Sequence, residues 1–108
     1  MKQAITIKQW YEIWSEANEE LRVKLLNDYF PRIEYYASPS EIFNNLPTIG
    51  DLIEFLGDDL VHIEFFSYNG CEVKIKTNKL KPKYQCFVGS ELTILLWEAV
   101  KYKICHKD

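Results

Sequence analysis

Five lysines, Lys74, Lys76, Lys79, Lys81 and Lys83, fall within ten residues, with Glu72 the nearest acid. Ammonium groups at that density suit a phosphate or carboxylate ligand. The strip holds no Arg, so it lacks the planar fork that grips phosphate or guanine with two parallel bonds. The same spacing fits a solvated strand face and connector, where lysines discourage edge-to-edge pairing. Four tyrosines are candidate recognition groups. Tyr35, Tyr36 and Tyr68 stand in expected loops, where aromatics often serve binding; Tyr84 and Tyr68 lie near enough to the lysines to stack on a base.

Other reactive side chains are scattered. His62 and His106 are far apart, and Cys71, Cys86 and Cys105 form no C-x-x-C pair. Structural zinc or a disulfide framework needs more ligands at closer spacing. Asp51, Glu54, Asp58 and Asp59 cluster around a helix end without the loop pattern of a calcium site. No Gly-rich phosphate cradle and no Ser-His-Asp or Cys-His spacing is present. The expectation is a non-enzymatic binding protein with no catalytic residues, metal or cofactor. An enzyme would need Asp51, Glu54, His62 or a cysteine to converge in one pocket.

Composition sets the frame. The 108 residues are 47% hydrophobic and 27% charged, with a net charge of −3. That describes one globular domain spanning residues 1–108. The charge is uneven: residues 1–70 hold 12 acids and 5 bases, whereas residues 71–84 hold one acid and five bases. The start, Met1-Lys2-Gln3-Ala4-Ile5, has no apolar signal region, and no apolar run approaches a membrane span. Unpaired cysteines fit a reducing compartment. The expected location is the cytoplasm, without membrane association.

The elements that must position these groups can be placed. Thr6 and Gln9 form a capping box, and the apolar residues Ile7, Trp10, Tyr11, Trp14, Ala17, Leu21, Leu25 and Tyr29 make residues 7–29 helical. Asn18-Glu19-Glu20 is a second start signal, so a break is expected near residues 16–18. Pro31 ends this region, and residues 31–38 read as loop or extended. Ser38-Pro39-Ser40-Glu41 opens a short helix to Asn45. Thr48-Ile49-Gly50-Asp51 opens another, closed by Gly57. Leu60–Ser67, Cys71–Thr77 and Tyr84–Val88 are strands, and Ser90 caps a helix over 91–104.

The fold class is α+β: N-terminal helices, a mainly antiparallel three-stranded sheet, and the last helix packed on it. The hairpin is expected to turn through Tyr68-Asn69-Gly70 with Gly70 left-handed. That register opposes Phe65 with Val73, Ile63 with Ile75 and Glu64 with Lys74, with His62 beside Lys76. The expected core is Trp10, Trp14, Leu21, Leu25, Leu52, Leu56, Ile63, Phe65, Val73, Ile75, Leu92, Leu96, Ala99 and Val100. Helix 91–104 is apolar on nearly all sides, more than one sheet can cover. A homodimer through it is the expectation.

Three stretches, QWYEIWSEANEELRVKLLNDYFP (9–31), SPSEIFNNLPTIGDLIEFLGDD (38–59) and LLWEAVKYKI (95–104), together resemble small uncharacterised proteins encoded by phages and prophages of gut bacteria. The resemblance implies a phage or mobile-element setting inside a bacterial host cell. It implies a binder and modulator of a host protein, including inhibitors of host defence systems, and assigns no catalytic residue. The order helix–strand–strand–strand–helix over 49–104 is also similar to a double-stranded-RNA-binding domain. That family has lysines where this chain reads Ser90-Glu91-Leu92-Thr93, so the topology carries over and the activity does not. A nucleic-acid or phosphate-ligand module using residues 74–83 is the alternative function.

Overall fold

A computed structural model describes residues 4–34, 46–66, 70–77, 81 and 83–105. The helix expected over 38–45 lies outside the described residues.

The first helix opens on the expected capping box. The Gln9 amide donates to Thr6 Oγ1 at 3.1 Å, and the Thr6 amide donates to Gln9 Oε1 at 2.8 Å. Helix α1 (Ile7–Trp14) buries Trp10 and Ile13, while Ile7 and Tyr11 are exposed. Tyr11 sits about 100° round the helix from Trp10, outside the buried arc. The expected break is present. Asn18 accepts from the Leu21 amide at 2.8 Å and starts α2 (Glu19–Lys24). Arg22 ties the break shut, donating from Nε and Nη2 to the Trp14 carbonyl at 3.1 and 2.9 Å.

Leu25–Tyr29 continues α2 as a π-helical turn, in which the Phe30 amide reaches the Leu25 carbonyl at 2.9 Å. Residues 31–34 are helical (α3, Pro31–Glu34), which corrects the loop expected there. Pro31 takes the first helical position, where its missing N–H has no partner to lose. Burial of Phe30 and Ile33 holds this turn in place.

Thr48 and Asp51 cap α4 (Ile49–Leu56) reciprocally, at 3.2 and 2.9 Å. Gly57 ends it at φ +51°, a conformation that side-chain-bearing residues rarely adopt. Strands β1 (Leu60–Phe65), β2 (Cys71–Lys76) and β3 (Tyr84–Gly89) form an antiparallel sheet in the order β1-β2-β3.

The hairpin register differs from the expected one by two residues. Phe65 faces Cys71, Glu64 faces Glu72, Ile63 faces Val73 and His62 faces Lys74, with a bulge between Leu60 and His62. Pairing runs on to Phe66, whose amide donates to the Gly70 carbonyl at 2.8 Å. Gly70 is thus a ladder partner of Phe66, which corrects the turn expected over residues 68–70. Tyr68 lies outside the described residues.

Helix α5 (Leu92–Cys105) begins one residue later than expected, the Leu95 amide bonding the Glu91 carbonyl at 3.2 Å. It lies across β2 and β3 on the face carrying Cys71, Val73 and Ile75, with α4 packed on it. Gly89 permits this approach, because a Cβ there would sit 3.1 Å from Leu95. Trp97 stacks on Trp10 with ring centroids 6.4 Å apart, so α1 covers the far side of α5. Trp97 and Ile104 are both buried within this chain. The last helix is therefore covered within one chain at Trp97 and Ile104, while Ile94 stays exposed.

Most of the expected core is buried. Trp14, Leu21, Ile63 and Leu92 are half-buried at its margin, and Ile5, Ile13, Phe30, Ile33, Leu95 and Trp97 join it. Phe65 is the exception, at 63% exposed. It points to the inner side but stands at the hairpin end of edge strand β1, beyond the cover of α5. The indole N–H groups of Trp10 and Trp97 are buried without a hydrogen-bond partner. Each such group costs about 1–3 kcal/mol, which the burial of the large rings must outweigh.

Candidate functional site

Side chains alternate across a strand, so burying Cys71, Val73 and Ile75 turns Glu72, Lys74 and Lys76 to the other face. The pairings place His62 and Glu64 of β1 and Tyr84, Cys86 and Val88 of β3 on that same outer face. Phe66 extends it, since a Cβ on Gly70 would lie 3.2 Å from the Phe66 ring. The packing of α5 and α4 is on the opposite side. Val88 is 65% exposed, Tyr84 53% and Phe66 43%.

The centre of this face is polar. His62 Nε2 and Glu72 Oε2 are 2.8 Å apart. Glu64 lies directly across from Glu72 in the ladder. Ligand-type atoms of His62, Glu64 and Glu72 all lie within 4.8 Å of one another. The hydrogen bond with His62 holds the Glu72 carboxyl below its ordinary value; partial burial opposes this, while the His62 charge, the Cys86 thiol and the Lys74 ammonium assist. His62 on β1 and Cys86 on β3 thus flank β2, both facing Lys74 across the ladder.

The sequence-expected groups separate. Lys74 is on the outer face, its ammonium 4.9 Å from the Tyr84 ring centroid in a cation–π contact. Lys76 lines a recess with Phe55, Leu56, Gly57, Asp58 and Asp59, so acids accompany it. Lys81 and Lys83 are exposed in the connector; the Lys83 carbonyl accepts from the Thr77 amide at 2.8 Å and hydroxyl at 3.2 Å. Lys79, Tyr35 and Tyr36 lie outside the described residues. The lysines that are described do not form a continuous basic surface, because Glu64 and Glu72 interrupt it on the sheet and Asp58 and Asp59 flank its end.

Asp51 serves as a helix cap, accepting from the Thr48 amide. The grouping of His62, Glu64, Glu72 and Cys86 was not anticipated. The one signal in the sequence was the i, i+2 placement of His62 and Glu64, and the expected register led that pair to Lys76 and Lys74. No helix among the described residues is long and apolar enough to cross a membrane. Comparison with protein-family profiles, curated proteins and solved structures finds no match to this chain.

Proposed function

We propose that this chain is a non-enzymatic binding module that engages a protein partner through the outer face of its sheet. The observation that carries this reading is the composition of that face. Exposed Phe66, Tyr84 and Val88 surround a centre in which Glu64, Glu72, Lys74 and His62 interleave. Aromatic and apolar groups among charges of both signs suit a protein surface. A nucleic-acid face needs a field of one sign, and acids opposite the lysines weaken it.

The resemblance to phage- and prophage-encoded proteins supports the setting. The proposed partner is a host protein in the bacterial cytoplasm, and inhibition of a host defence system is the form of modulation that likeness suggests. The test is affinity capture from bacterial lysate at low and high salt, with wild type, Val88→Ser and Phe66→Ser in parallel. One protein retained by wild type and lost from both variants supports the reading. Retention that is the same in all three contradicts it. The alternative, oligonucleotide binding through Lys74, Lys76 and the connector, predicts binding at about 50 mM salt that falls steeply as salt rises.

A further inference from the structure

We propose that His62, Glu64 and Glu72 form a binding site for a divalent transition-metal ion of the zinc class. The site is built on a rigid ladder. His62 and Glu64 are two apart on β1 and so share a face, and Glu72 is the direct partner of Glu64 on β2. Their ligand atoms lie within 4.8 Å of one another, and one pair is already at 2.8 Å. Zinc bonds of about 2.0–2.2 Å place tetrahedral ligands roughly 3.4 Å apart. Small side-chain rotations reach that geometry from the observed one.

A second observation points to a cation independently of the distances. Glu64 and Glu72 oppose each other across the strands, a like-charge pairing that sheets disfavour. A divalent ion between them cancels both charges. Lys74, which faces His62 across the ladder, has its ammonium over the Tyr84 ring on the β3 side and adds only a minor part to the stabilisation of the Glu72 carboxylate. One imidazole nitrogen with two carboxylate oxygens selects a borderline metal over magnesium or calcium, which take oxygen ligands. Three protein ligands leave a coordination position open to water or to a partner's side chain. This proposal does not depend on the protein-partner reading.

The test is zinc titration of the metal-stripped protein against a chromophoric chelator, alongside thermal melts. Wild type should bind one zinc per chain and melt higher as zinc is added. His62→Gln and Glu64→Gln should each weaken binding about a hundredfold or more, since even outer-shell partners cost about 10–100-fold. Cys105→Ser, which removes an exposed thiol of α5 and none of the three ligands, should bind zinc as wild type does. Without zinc, Glu64→Gln should melt above wild type, because the carboxylate opposition is gone. Stoichiometric zinc binding that survives both ligand substitutions would overturn the proposal. So would the lack of any zinc-dependent rise in Tm of wild type, or a metal-free Glu64→Gln that melts no higher than wild type.

Discussion

At the scale of single residues, environment decides which side chains can act. Cys71 is buried under α5, and burial pushes its thiol up from its ordinary value, while Cys86 and Cys105 are exposed. A thiol reagent added to the folded protein should therefore modify Cys86 and Cys105 quickly and Cys71 only after unfolding. Mass spectrometry of alkylated peptides reads this, and rapid labelling of Cys71 would contradict the inner face assigned to β2. The outer-face cluster was illegible in the sequence for a definite reason. A register shift of two residues keeps every side chain on its face, so hydrophobic alternation cannot distinguish the two pairings. Charge pairing favoured Glu64 with Lys74; the structure instead pairs Glu64 with Glu72.

Among the elements, the short helices depend on their caps. Asn18→Ala removes the bond to the Leu21 amide, and Thr48→Ala opens the Thr48–Asp51 box. Each should cost about 1 kcal/mol in denaturant unfolding. Arg22→Lys loses the forked contact with the Trp14 carbonyl and should cost a similar amount, about 1 kcal/mol. A cost indistinguishable from zero for Arg22→Lys would show that the break between α1 and α2 is held by packing alone. The caps were legible because each is a local pairing within four residues. The π turn at Leu25–Tyr29 and the helical turn after Pro31 were not, since burial of Leu25, Phe30 and Ile33 against distant elements sets them.

Over the whole molecule, α5 is the central element, with the sheet on one side and α1 and α4 on the other. Trp97→Ala removes a fully buried ring stacked on Trp10 and should cost about 3–5 kcal/mol. Lys101 of α5 reaches Glu12 of α1 and, at 2.9 Å, Glu98. Burial pulls the Lys101 ammonium down, but its bonds to Glu12 and Glu98 outweigh that and hold it above its ordinary value. A raised folded-state value means the contribution is full below the unfolded-state value and disappears as pH climbs through the folded one. Stability of wild type should therefore fall more steeply than that of Lys101→Met in the alkaline range, as followed by pH-dependent melts. Because Trp97 and Ile104 of α5 are covered within one chain, light scattering at micromolar concentration should report a mass near 12.8 kDa.

The measurement that bears most directly on the proposed role is site-specific photocrosslinking in bacterial lysate, comparing probes at two exposed apolar positions. Val88 lies on the outer sheet face; Ile94 lies on α5. A discrete nuclease-resistant protein adduct from position 88, without a matching adduct from position 94, is the predicted result. Equal adducts from both positions, none from position 88, or an adduct that nuclease removes would contradict a protein-binding role for the sheet face.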